Sequence, residues 1–148
     1  MGSILGNSQR FVVCALAVLT ASAAPAWAQG EYEGETECRG NMVRQVGVAN
    51  ANGRTVAGLE LFYSRSENLF CAKMRHVGPL FDVRLPTEVA LYRSDSRGGP
   101  ETLVRRDRGD YLRYAGPIGG RGNCMNARGS IRWDNNYAAL TFKDKFCS

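Results

Sequence analysis

The chain has 148 residues and a formal net charge of +5. This length fits one domain whose core buries about two-thirds of the surface that the unfolded chain exposes. The one long apolar run, near the start, is too short for a membrane-spanning helix, so a helical membrane protein is excluded. A basic chain of this size favours anionic partners such as nucleic acid, cell-wall polymer or lipid headgroups.

The first 28 residues have the three parts of a secretory signal peptide. A short n-region carries Arg10, an apolar h-region follows over Phe11–Ala24, and Ala26-Trp27-Ala28 forms a small-x-small cleavage site. We therefore expect residues 1–28 to be removed and the mature, secreted chain to begin at Gln29.

Residues 29–37 are polar and acidic, and they include four glutamates. They show no apolar periodicity, so we expect a flexible arm ahead of the domain. From residue 38 to the end, 18 basic residues stand against 10 acidic ones, which gives the domain a net charge of +8. The domain is thus more basic than the whole chain.

From Cys38 onward, apolar and polar residues alternate with the period of β-strands. Thr55–Tyr63 and Leu69–Val77 both show this pattern. Phe81, Val83 and Leu85 also alternate, and a second short strand is predicted beyond Pro86, through Val89 and Leu91. A further strand is predicted after Cys124, with one face formed by Met125, Ala127, Gly129, Ile131 and Trp133.

Turn-forming residues separate these stretches at short intervals. They are Asn52-Gly53, Gly78-Pro79, Gly98-Gly99-Pro100, Gly119-Gly120 and Asp134-Asn135-Asn136. Seven or so short strands in one domain predict an all-β fold, a single small β-sandwich or barrel that spans residues 38–148.

Four cysteines remain once the signal peptide, with Cys14, has been removed: Cys38, Cys71, Cys124 and Cys147. An even number in an exported chain predicts two disulfides. The cysteines are too far apart in sequence for the close pairs of a zinc site. Three pairings are possible. We favour Cys38–Cys147, which joins the ends of the domain, and Cys71–Cys124, which joins its middle.

His76 is the only histidine, so general acid–base catalysis would depend on it. A small secreted ribonuclease-like hydrolase would combine His76 with Glu60 or Glu88 and an arginine, but nothing in the spacing brings these residues together. No Gly-x-Ser-x-Gly motif is present, and the cysteines are expected to be paired. We assign no catalytic residue. No EF-hand loop or histidine pair is present, so no metal or cofactor is predicted.

The densest basic cluster is formed by Arg105, Arg106 and Arg108. Successive residues of a strand face opposite sides, so Arg105 and Arg106 cannot form one patch by themselves. A turn near Gly109 would gather Arg106 and Arg108 with Arg121 or Arg128. Guanidinium groups bind phosphate and carboxylate with two parallel hydrogen bonds. The predicted binding residues are Arg105, Arg106, Arg108, Arg121 and Arg128.

The glycine-rich run Gly116–Gly122 matches neither phosphate-binding template. It lacks the Gly-Lys-Ser/Thr ending of a P-loop and the strand–helix setting of a dinucleotide fold. Because glycine tolerates positive φ, we predict a tight connection between two core strands that Cys124 then holds in place.

Two segments are similar to a known family. One is LELFYSRSENLFC, Leu59–Cys71, and the other is GDYLRYAGPIGGRGNC, Gly109–Cys124. With Cys38 and Cys147 near the two ends of the domain, the chain resembles the spore-associated protein A group of small secreted actinobacterial proteins. The resemblance implies an exported protein, associated with the cell surface or the spore, that has no established activity. It also supports the favoured cysteine pairing.

A shorter segment, CMNARGS, is similar to one near the end of the secreted subtilisin inhibitors. It raises the alternative of a protease inhibitor with a rigid, disulfide-held loop. The interpretation that we favour is a secreted, non-enzymatic protein that binds an anionic cell-wall polymer or nucleic acid through its arginines. The two alternatives are the ribonuclease-like hydrolase that uses His76 and the protease inhibitor.

Overall fold

The computed structural model describes residues 35–147, except for the side chain of residue 144. In this range the chain forms eight β-strands in two four-stranded antiparallel sheets that pack face to face. The prediction of an all-β sandwich or barrel with two disulfides is confirmed, and of the two architectures the chain forms the sandwich. The predicted signal peptide, residues 1–28, and residues 29–34 of the predicted arm lie outside the described residues.

Each sheet is formed by two runs of the chain. Sheet A has the strand order β1-β2-β3-β6, and its strands are β1 (Asn41–Ala49), β2 (Thr55–Ser64), β3 (Leu69–His76) and β6 (Tyr114–Gly120). Sheet B has the order β5-β4-β7-β8, and its strands are β4 (Leu85–Ser94), β5 (Thr102–Tyr111), β7 (Cys124–Trp133) and β8 (Asn136–Lys145). The chain therefore changes sheet three times, after β3, β5 and β6.

The core lies between the sheets and is formed by every second residue of the central strands. The predicted inward faces of Thr55–Tyr63, Leu69–Val77 and Cys124–Trp133 are confirmed. Complete burial of one such aliphatic or aromatic side chain contributes about 1.5–3 kcal/mol. The largest buried side chains include Leu59, Leu61, Phe70 and Met74 of sheet A and Leu91, Met125 and Ile131 of sheet B.

The predicted strand through Phe81 and Val83 is wrong. A short 3-10 helix, Gly78–Leu80, follows β3, and the Phe81 and Val83 residues beyond it are 48% and 40% exposed. Asp82 has a φ of 60°, a left-handed conformation that ends any extended run. The predicted division at Pro86 is also wrong, because β4 continues through it. Pro86 pairs only with β5, ahead of the first pair with β7, so its missing N–H costs no bond to β7.

The glycine-rich run is mostly strand, so the prediction of a tight connection there holds only for residues 121–123. Gly116–Gly120 belongs to β6 and pairs with β3. Gly116 has a φ of +87°, and a Cβ atom at this position would lie 2.7 Å from the carbonyl oxygen of Ala72. A Cβ on Gly120 would lie 2.7 Å from a methyl group of Val104. Glycine is required here because β6 runs close to both neighbouring strands.

Asp107 connects the two sheets where the chain passes from β5 to β6. Its carboxylate accepts a hydrogen bond from the Gly116 N–H at 2.6 Å and another from the Tyr111 hydroxyl. The pKa of Tyr111 is raised to about 12, mainly by burial and to a smaller extent by the hydrogen bond to Asp107. The inward face of β5 thus carries polar groups that hold this edge of the sandwich together.

The favoured cysteine pairing, which the family resemblance also supported, is wrong. The disulfides are Cys38–Cys71 and Cys124–Cys147. Before β1, the chain crosses the outer surface of sheet A, where Lys73 Nζ donates to Thr36 O at 2.8 Å, and this path places Cys38 beside β3. Since Lys145 at the end of β8 pairs with Met125 near the start of β7, Cys147 lies beside Cys124.

We predict that each disulfide stabilises the domain separately. Replacing Cys38 and Cys71 with serine, or Cys124 and Cys147, should lower the free energy of unfolding by about 3–4 kcal/mol, because the two bonds close loops of 33 and 23 residues. Urea denaturation measures this loss, and peptide mapping without reduction checks the pairing. A crosslinked peptide that contains both Cys38 and Cys147 would contradict it.

Candidate functional site

The outer surface of sheet B carries a group of arginines. Residues directly opposite on neighbouring strands share a face, and Ala90 of β4 lies opposite both Arg106 of β5 and Arg128 of β7. Arg108 and Arg132, two and four residues further along their strands, point the same way. We call this surface the arginine face.

Acidic side chains hold these guanidinium groups in place. One oxygen of Glu88 lies 3.3 Å from Arg106 Nε and the other lies 3.5 Å from Arg108 Nε. Glu101 accepts hydrogen bonds from Arg128 and, at 2.5 Å, from the amide of Asn126. Because Arg106 and Arg108 are 44% and 76% exposed, such pairs contribute little to stability. Their effect is to orient the guanidinium groups.

Tyr92 lies between two of the arginines. Arg106 donates a hydrogen bond to the Tyr92 hydroxyl at 3.2 Å, and the guanidinium of Arg128 lies 4.4 Å from the centre of the ring. The hydrogen bond to Tyr92, together with the charge of Glu88, raises the pKa of Arg106 above its ordinary value. The aromatic ring therefore fixes the distance between Arg106 and Arg128.

An open groove of about 500 Å³ crosses the other half of the arginine face. Arg108 and Arg132 lie on its sides, with the carboxylates of Glu88 and Asp110 and the exposed ring of Tyr137. The face as a whole combines four arginines with the carboxylates of Glu88, Glu101 and Asp110, a net charge of +1. It can both donate to anions and accept hydrogen bonds from hydroxyl groups.

The structure brings three of the five predicted arginines together: Arg106, Arg108 and Arg128. Arg105 points the other way, as the alternation predicted, and its Nε atom is buried without a hydrogen-bond partner. Arg121 lies on the connection between β6 and β7, where it donates to the carbonyl oxygen of Glu67 at 3.3 Å. The remaining residues of the face were not predicted as a group, although Arg132 continues the alternation of Arg128 and Ser130.

His76 lies in the core, between the sheets. Its Nδ1 atom is 3.2 Å from the carbonyl oxygen of Leu112, and its Nε2 atom is 2.7 Å from the Thr87 hydroxyl. A neutral ring with its proton on Nδ1 donates to the Leu112 carbonyl. Its Nε2 atom accepts from the Thr87 hydroxyl when the single proton of that hydroxyl is not donated to the Leu85 carbonyl oxygen, 3.0 Å away. Burial lowers the pKa of His76 below its ordinary value, and hydrogen bonds to backbone carbonyls offset part of this effect.

The residues of the ribonuclease-like alternative do not meet. Glu60 is on the outer side of sheet A, where it accepts a hydrogen bond from Arg75 at 3.1 Å. Glu88 is on the outer side of sheet B, and His76 is buried between the two sheets. The segment CMNARGS, on which the inhibitor alternative was based, forms the first seven residues of β7 and is mostly buried in sheet B.

Comparisons of the chain with known protein families, curated proteins and solved structures find no match. Within residues 35–147, no three acidic, histidine or cysteine side chains are grouped so that they could hold a metal ion. In the same part of the chain, no helix has the length and apolar character needed to cross a membrane.

We predict that His76 makes the stability of the protein depend on pH. The folded state disfavours the charged ring because burial lowers the pKa of His76, whereas the unfolded chain takes up a proton below about pH 6.5, so stability should fall as pH decreases through that value. The variant His76→Gln keeps a donor and an acceptor but does not titrate. Thermal unfolding from about pH 8 to about pH 5 should show a smaller decrease for the variant. Equal decreases would contradict the prediction.

Proposed function

We propose that the protein is an extracellular, non-enzymatic binding protein whose arginine face holds an anionic polymer at the cell surface. The observation that carries the proposal is the common orientation of Arg106, Arg108, Arg128 and Arg132 on one exposed face. The predicted signal peptide and the resemblance to the spore-associated protein A group are the basis for the extracellular setting.

The spacing of the arginines suits a polymer better than a small anion. Arg106 and Arg108 are two residues apart along β5, about 7 Å, and Arg128 is two strands away from Arg106, about 10 Å. A small anion at Arg106 and Arg108 would compete with the carboxylate of Glu88, which already contacts both groups. A chain with repeated charges reaches several, and each further contact forms at a high effective concentration.

The carboxylates of the face favour one class of polymer. Glu88 and Asp110 lie in the groove beside Arg108 and Arg132, where they would repel a chain that carries only phosphates. The same oxygens accept hydrogen bonds from hydroxyl groups, and the ring of Tyr137 offers an apolar surface to a sugar ring. We therefore favour a cell-wall polymer that carries both anionic groups and hydroxyl groups over nucleic acid.

We predict that the double variant Arg108→Gln/Arg132→Gln binds such a polymer about 100-fold more weakly, because two charge-assisted contacts are lost. Binding is measured by cosedimentation with purified wall material over a range of salt concentrations. The plot of log affinity against log salt should become shallower by roughly 1 to 2 for the variant.

Arg54→Gln is the matched control, because Arg54 is exposed in the turn between β1 and β2, away from the face. It should bind like the unmodified protein. Retention that is equal at low and high salt would contradict the proposal, and so would equal affinity of the double variant. Tighter binding to single-stranded RNA than to wall polymer would show that a wall polymer is not the preferred ligand. The arginine face would remain the proposed binding surface.

A further inference from the structure

A second concave surface lies outside the arginine face, at one end of the sandwich. It is an open cavity of about 540 Å³, and its lining consists of Val43 and Arg44 of β1, Arg97 of the loop after β4, and Lys145 and Phe146 at the end of β8. None of these residues belongs to the arginine face. We call this surface the basic cavity.

The charges of the basic cavity have no counter-charge among the side chains that the structure describes. Arg44 donates only to the carbonyl oxygen of Val43, at 3.1 Å, and neither Arg97 nor Lys145 forms an ion pair there. The lining includes no acidic residue. On the arginine face, by contrast, Arg106 and Arg108 are both paired with Glu88. Three cations that lack a counter-charge among the described side chains surround one concavity, and together they produce a positive potential that attracts anions.

The strand ends that carry Arg44 and Lys145 are fixed by packing. Val43, next to Arg44, packs against the core, and the register of β1 shifts between Met42 and Arg44. Phe146 stacks on Tyr63 with ring centres 5.3 Å apart. The Cys124–Cys147 disulfide anchors the chain directly after Phe146. The backbone that carries Arg44 and Lys145 is therefore held in place before an anion binds, which lowers the ordering cost of binding.

We propose that the basic cavity binds a phosphate group, either free phosphate or a terminal phosphomonoester. Two guanidinium groups match the paired oxygens of phosphate, and the ammonium group adds a third positive charge. The three charges compensate a doubly negative phosphate well, whereas a single carboxylate would leave two of them uncompensated. This site goes beyond the proposed polymer binding, because it would take one anionic group and uses other strands.

The test is an NMR titration of the full domain at constant ionic strength with inorganic phosphate, glycerol 1-phosphate and polyphosphate. Saturable shifts are expected at the backbone amides of residues 43–45, 97–98 and 145–146. Arg97→Gln and Lys145→Gln should each weaken binding by about 10-fold, since each loses one charge-assisted contact. The triple variant with Arg44→Gln as well should show no saturable shift. Tighter binding of glycerol 1-phosphate than of inorganic phosphate would identify a monoester ligand, and equal binding would identify the free anion.

Arg54→Gln again serves as the control, and it should titrate like the unmodified protein. The double variant Arg108→Gln/Arg132→Gln should also bind phosphate normally. A failure of polymer binding at the arginine face would therefore not contradict phosphate binding in the basic cavity. A failure of phosphate binding would likewise not contradict polymer binding. Three results would overturn the phosphate proposal: the same shifts with chloride, equal affinity for acetate, or an unchanged titration curve for the triple variant.

Discussion

The structure depends on the packing of two sheets through the inward side chains of their central strands. Leu59 and Met74 of sheet A meet β7 of sheet B at Gly129, and the sheets can approach there because Gly129 has no side chain. A Cβ atom there would lie 2.8 Å from Met74 Sδ. Once one face of each strand is buried in this way, the alternating residues must face outward. The arginine face is a direct consequence of that constraint.

The two basic surfaces differ in how their charges are compensated. On the arginine face, Glu88 and Glu101 bind the guanidinium groups and leave a small net charge, which suits a long polar ligand with several weak contacts. In the basic cavity, Arg44 and Lys145 have no acidic neighbour among the described side chains, which suits one compact anion. The high net charge of the domain therefore does not identify a site, since the location of the carboxylates decides which arginines are available.

Local patterns predicted the buried faces of β2, β3 and β7, but they did not identify β1 or β8, nor the way in which the strands are joined. The alternation in Leu69–Val77 identified the buried face of β3 because burial of that face depends on nearest neighbours in sequence. Phe81 and Val83 show the same alternation, yet left-handed φ values at Gly78 and Asp82 turn the chain there. The cysteine pairing could also not be predicted from the sequence. It depends on which strands are neighbours, and sequence distance between cysteines does not report that.

The sequence by itself determined the all-β class, the presence of two disulfides, the opposite directions of Arg105 and Arg106, and the excess of basic residues, because these follow from composition and from a period of two. Only the tertiary structure decided that Arg106 and Arg128 lie on the same face on either side of β4, and that Arg121 lies apart from them. It also decided that Arg44, Arg97 and Lys145 line one cavity. The physical reason is that strand order and register set these distances, and both are settled by packing between segments far apart in the chain.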